Sequence, residues 1–161
     1  RSASLGKSGT EDVQLVLAQT YEKLSNLVTQ LSSRFKERSV QRVAVLPFVG
    51  SDDKTADAVG GYLTDKIMNL FYSSGQAKVI ERTAIDKVID ELALGYSGRF
   101  DDASAQRLGR LLNADTLIRG KFIGLSGGII EITSRAIAVE TGEIIGVGSV
   151  TIPAQGILNS R

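Results

Sequence analysis

Neither cysteine nor histidine occurs in the 161-residue chain. Together these absences remove thiol nucleophiles, imidazole general bases and the commonest zinc and iron ligands, so most enzyme templates fail and no catalytic, cofactor or metal residue is assigned. Tryptophan is missing and aromatics make up only 6% of the chain, too few and too scattered for a row of base-stacking platforms. Charge of one sign is lacking as well: 19 basic and 18 acidic side chains leave a formal +1, with no global field to hold nucleic acid or an anionic bilayer. No run approaches the roughly 20 apolar residues of a membrane-spanning helix, so membrane contact is expected only through an anchor outside these residues. The absence of cysteine is compatible with cytosol and periplasm alike. What is present is a 42% apolar share, enough for one core plus an appended element.

The first ten residues, RSASLGKSGT, are small, polar and aperiodic, and read as a flexible terminus of a mature or trimmed chain. From Thr10, a candidate N-cap, apolar residues recur at Leu17, Tyr21, Leu24, Val28, Leu31 and Phe35, and the stretch ends in the basic Arg34, Lys36 and Arg38. The alternating spacing of four and three is a heptad seam, broadened by Leu15, Val16 and Leu27. It predicts a long amphipathic helix over Thr10–Arg38. Such a helix either packs on its own domain or associates with another copy or partner, and the six seam residues are the candidate interaction residues.

Arg42–Gly50 is a short apolar run ending in glycine, the pattern of a buried strand with Pro47 near its end. A polar loop follows. Val59, Leu63, Ile67, Leu70 and Phe71 then mark a helix that stops at Ser73-Ser74-Gly75, with Gly60-Gly61 implying close backbone packing in its first turn. Lys78–Arg82 reads as a second strand and Ala84–Leu94 as a helix stopped by Gly95. Asp101 or Asp102 caps a further helix through Leu112, and Asn113-Ala114-Asp115 turns into strand. Thr116–Gly124, Ile129–Val139 and Glu143–Ile152 are β-rich runs separated by glycine-bearing turns, an antiparallel meander, and Glu131, Thr133 and Arg135 place one of its faces in solvent. The tail from Pro153 reads as irregular. The expected class is therefore α/β, a mixed α+β sheet ordered β-α-β-α-α-β-β-β behind a long N-terminal amphipathic helix. Residues 1–40 form the flexible start and helix, 41–153 the α/β domain and 154–161 the tail.

Chemistry-bearing candidates are sparse. Gly6-Lys7-Ser8 resembles the end of a phosphate-binding loop but lacks the upstream glycine and strand. Asp52, Asp53 and Asp57 lie at a strand end, where α/β sheets bind ligands, and equally suit a solvated loop and helix cap. Asp101 and Asp102 have a capping role available. Arg82, Arg99 and Arg107 suit an anion or salt bridges to Glu81, Asp86 or Asp102.

The strings RVAVLPF (42–48), KVIERTAIDKVIDELAL (78–94), SGRFDDASAQRLGRLLNADTLIRGKF (97–122) and IAVETGEIIGVGSVTI (137–152) occur in an order that resembles the FlgO/CsgG-like family of bacterial envelope proteins over residues 40–153. The resemblance implies a lipid-anchored or periplasmic, outer-membrane-associated protein that assists assembly or secretion without catalysis. It implies partners that are proteins or further copies, with no cofactor and no nucleic acid. The short links leave no room for the two transmembrane hairpins of curli-secretion subunits, which need about 40 residues in strands of about 9–11. The expected function is a non-catalytic assembly or accessory module; the alternatives are a small-ligand-binding domain using the loop after the first strand and a secretion-channel subunit.

Overall fold

The computed structural model describes residues 2–51, 56–95 and 99–158. Its elements are α1 (Ser2–Leu31), β1 (Arg42–Val45), β2 (Val49–Gly50), α2 (Ala56–Ser74), β3 (Lys78–Val79), α3 (Arg82–Glu91), α4 (Asp102–Leu111), β4 (Thr116–Leu125), β5 (Ile129–Ala138), β6 (Ile144–Pro153) and α5 (Ala154–Leu158). One mixed sheet runs β3-β1-β4-β5-β6, with β2 also on β4. β1 is parallel to β3 and β4, whereas β4, β5 and β6 form the expected antiparallel meander.

The chain leaves β1 toward β3 and then crosses back over β1 to reach β4. Crossovers of one hand running in opposite directions place their helices on opposite faces. Val43 and Val45 accordingly pack with α1 and α2, while Ala44 and Leu46 pack with α3 and α4. Burial on both faces accounts for the uninterrupted apolar run of β1.

The run expected as one strand, Arg42–Gly50, is broken at Leu46–Phe48. Val45 is opposite Ile118 but Val49 is opposite Lys121, so the path to β2 carries one more residue than its partner strand. Pro47 has no N–H to donate. The Phe48 N–H instead donates to Thr64 Oγ1 at 3.0 Å, and that hydroxyl donates to the Gly60 carbonyl at 2.6 Å. A Cβ at Gly60 would stand 2.7 Å from the Phe48 carbonyl, whereas one at Gly61 would meet nothing. The close packing expected of both glycines therefore belongs to Gly60 alone.

α1 begins at Ser2 rather than Thr10 and ends at Leu31 rather than Arg38. Once a helix is nucleated, extending it costs little, which lets the polar start join it. At its other end the chain passes through turns to Ser39, whose φ of 53° is left-handed. The Val40 N–H then bonds Phe35 O and the Ser39 N–H bonds Lys36 O, the paired closure of a Schellman turn. The same pair of bonds follows α3 at Ala93 (φ 55°) and α4 at Asn113 (φ 54°). The left-handed stop of α3 is thus Ala93, before the expected Gly95. Arg82, expected as the end of a strand, opens α3 behind the N-cap residue Glu81. The tail expected to be irregular forms α5, because Ile157 is fully buried and the Ala154 N–H bonds Gly128 O at 2.7 Å.

The core behind the meander joins Leu24, Leu27, Val28, Leu31 and Phe35 of the N-terminal segment to Ile132, Ala136, Ile145, Val150 and Ile152 of the sheet. Phe35 also stacks on Phe71 of α2, with centroids 5.9 Å apart. α1 comes so close to β6 that a Cβ at Gly146 would stand 2.3 Å from the Leu31 carbonyl oxygen, a backbone atom that cannot rotate away. Gly146→Ala should therefore cost about 1–3 kcal/mol in urea unfolding, while Gly124→Ala, where a Cβ meets nothing within 4 Å, should leave the midpoint nearly unchanged.

Candidate interaction surface

Among the six seam residues, Leu24, Val28, Leu31 and Phe35 are buried in the chain's own core. Leu17 is half-buried and Tyr21 is 62% exposed. Only the N-terminal part of the seam is thus available to another molecule in this fold. The edge of β6 is engaged at one point, where Gln30 of α1 accepts the Ser149 N–H at 3.0 Å. The opposite edge strand, β3, is two residues long, too short to template a partner strand.

The open surface is the outer face of the meander. α3 and α4 cover β3, β1 and the start of β4, where their core includes Ala44, Leu108, Leu117 and Val139. Beyond Leu117 the outward side chains of β4 are Arg119, Lys121, Ile123 and Leu125. The register sets them opposite Arg135, Thr133, Glu131 and Ile129 of β5, which in turn face Val147, Ser149, Thr151 and Pro153 of β6. Ile123, Leu125, Ile129, Ile144 and Val147 are among the large apolar side chains left exposed. Single exposed apolar residues are ordinary, but a set gathered on one sheet face makes a candidate interaction surface.

Two loops fix the border of this face. Arg119 donates to Asp102 at 2.8 Å and to the Phe100 carbonyl at 2.6 Å, with its guanidinium 5.4 Å from the Phe100 ring centroid. Asp101 caps α4 by accepting the Ser104 N–H at 2.8 Å. The expected capping role therefore belongs to Asp101, and Asp102 serves the sheet instead. Asp115 ties the starts of β1 and β4 together: its Oδ2 accepts the N–H groups of Gln41 (2.8 Å) and Arg42 (3.0 Å), and its Oδ1 accepts the Thr116 hydroxyl (2.9 Å). The Arg42 guanidinium returns to the Asn113 carbonyl at 2.8 Å. The Asn113-Ala114-Asp115 string is thus a joint.

Two of the candidate arginines have structural partners. Arg82 pairs with Asp65 at 2.6 Å and lies 3.6 Å from Asp86. Arg99 donates to the Gly50 carbonyl. Gly6-Lys7-Ser8 lies in helical backbone, which is not the geometry of a phosphate-binding loop. Asp52 and Asp53 fall outside the described residues. Among the described residues no group of three His, Cys, Asp or Glu side chains could hold a metal ion, and no helix is long and apolar enough to cross a membrane. Hollows of about 680, 490 and 480 Å³ open beside the C-terminal end of α1, at the Asp115 joint and beside Arg119, and the largest is not at either of the two hydrogen-bonded arrangements.

Asp115→Ala removes bonds to a charged acceptor and should cost about 1.5–3 kcal/mol in urea unfolding. Two carboxyls set an acid limb. Asp101 is held below its ordinary value by hydrogen bonds from Ser104, side chain first and backbone N–H second, and Glu143 by its hydrogen bond with Arg38. A folded-state pKa below the unfolded one adds stability that is complete above the unfolded value and is lost as pH falls through the folded one. The unfolding midpoint of the wild type should therefore drop on acidification below about pH 4 by more than that of an Asp101→Asn, Glu143→Gln variant.

Comparison with known proteins agrees with this architecture. The C-terminal domain of LpoB from Escherichia coli superposes with a TM-score of 0.67 at 14% identity, covering 82% of this chain and 96% of that one. The corresponding LpoB domain from Salmonella enterica gives 0.61 at 15% identity, covering 79% and 95%. Lipoprotein GNA1162 from Neisseria meningitidis gives 0.53 at 14%, covering 70% and 79%. At these identities the likeness establishes the shared fold. No individual curated protein sequence matches significantly. The sequence model of the family described as curli production assembly/transport component CsgG matches residues 13–130, from the middle of α1 to the start of β5, and the chain belongs to that family.

Proposed function

We propose that this chain is a non-catalytic accessory module of the bacterial envelope, periplasmic or outer-membrane-associated, that serves a surface-appendage, flagellar or secretion assembly through protein–protein contacts. The observation that carries the reading is the uneven coverage of the sheet. Its inner face lies under α1, α2 and α5, while the outer face of the meander is left open with its apolar side chains exposed. Membership of the CsgG family supports the envelope setting. The composition points the same way: a chain without cysteine or histidine, whose prominent arginines and aspartates serve as caps, joints and ion pairs, offers surface rather than an acid–base pair.

The test is a photo-cross-linking side chain placed in turn at Tyr21, Tyr72 and Val147 of the full chain in the envelope of a bacterium that makes it. Protein adducts from Tyr21 or Val147, absent from Tyr72, are expected. No adduct from any position, together with a thermal shift on adding a nucleotide, sugar or divalent ion, would contradict the reading. Self-assembly through the accessible part of the α1 seam is tested separately by light scattering. If it operates, Leu17→Asp with Tyr21→Asp lowers the oligomer mass; an unchanged mass excludes it.

A further inference from the structure

We propose that the outer face of the β4–β5–β6 meander docks a carboxylate-bearing protein surface, seated on Arg119, Lys121 and Arg135. The inference rests on the protein-contact reading above and names the chemistry of the partner. Arg119 of β4 is directly opposite Arg135 of β5, and Lys121 follows two residues along the same face. Directly opposed residues have Cβ atoms about 4.5–5.5 Å apart, and like charges in that relation work against the sheet. Asp102 answers only Arg119; among the described residues neither Lys121 nor Arg135 has an ion-pair partner. An excess of positive charge is thus held in place on a face that no described element covers. The Asp102 bond, the Phe100 carbonyl and the Phe100 ring fix Arg119, so part of the entropy of ordering this cluster is already spent before a partner arrives.

The apolar part of the same face supplies contact area. Val147, 62% exposed, lies directly across from Arg135, and Ile123, Leu125 and Ile129 extend the surface toward the β4–β5 turn. Beyond Leu117 about eight residues of each strand remain open, a patch of about 26 by 14 Å, which corresponds to a small contact rather than an obligate subunit interface. A second copy is the poorer occupant of the cluster itself, because a two-fold contact with its axis at Arg119 and Arg135 would set like charges against each other. A lipid surface is also poorer. Glu131 stands between Ile123 and Thr151, so pressing the apolar end into a bilayer would bury a carboxylate that a protein partner can meet with a cation.

The experiment is an amide chemical-shift titration of the full chain with a synthetic peptide of about ten Asp, Glu and Leu residues. Its Lys/Leu counterpart and vesicles of phosphatidylglycerol and phosphatidylethanolamine at about 1:3 serve as the other arms. The acidic peptide should shift the amides of Lys121, Thr133, Arg135 and Ser149, and Lys121→Glu with Arg135→Glu should weaken its binding at least about ten-fold, as should raising the salt to about 0.5 M. Both side chains are exposed, so the melting temperature should hold; if charge reversal lowers it, the Lys121→Ala, Arg135→Ala pair takes its place. Equal binding by wild type and variant, shifts produced by the basic peptide or by vesicles alone, or shifts that follow chain concentration without any peptide each overturn the proposal. Photo-adducts from Tyr21 that survive the double charge reversal, with the acidic peptide inert, would retain protein contact as the function and reject this face as its seat.

Discussion

The close approach of α1 to β6 is the contact on which the rest of the fold depends. The meander's inner face is lined by Ile132, Ala136, Ile145, Val150 and Ile152, and without the helix it would stand open to water. Leu24, Leu27, Val28, Leu31 and Phe35 close it, and at about 1.5–3 kcal/mol for each fully buried side chain their burial amounts to on the order of 10 kcal/mol. That is the size of a whole domain's net stability. The contact needs small residues beneath the helix: Gly146 lies under the Leu31 carbonyl, and Gly148 under Leu27 and Gln30. The same approach brings Gln30 onto the backbone of Ser149, so one helix closes the inner face and also engages the edge strand.

Closing one face leaves the other for the proposed contacts. α3 and α4 shield the parallel strands as far as Leu117 of β4, and Arg119 marks the border by tying the start of α4 to the sheet through Asp102 and Phe100. Past that border the meander carries its cations and exposed apolar residues on ten-residue strands locked in register, a rigid platform rather than a loop surface. A rigid platform limits the entropy lost on docking, which suits the proposed accessory role.

Much of this was legible in the sequence. The heptad seam announced α1, the two-sided apolar run announced β1, and the alternation of Glu131, Thr133 and Arg135 announced a solvated face. Which way the seam faced was not legible from α1 itself. The signal lay more than a hundred residues away, in the Gly-Val-Gly of β6, where two glycines make a groove for a helix. The break at Pro47 escaped because the partner for the Phe48 N–H is a hydroxyl on another element, Thr64 of α2. The opposition of Arg119 and Arg135 depends on strand register, which composition does not reveal, and the partition of Asp101 to the cap and Asp102 to the sheet is decided by a strand seventeen residues later. The helical start at Ser2 escaped because small polar sequence is compatible with extending a helix that packing has already secured, and the α5 turn because it depends on the burial of Ile157 and on the bond from Ala154 to Gly128.

The most direct measurement is hydrogen–deuterium exchange of the full chain, free and saturated with the protein to which it cross-links. The account predicts slowed exchange in the 116–153 meander, with α2 and α3 unchanged. Slowing confined to α2 or α3, with the meander unaffected, would contradict it.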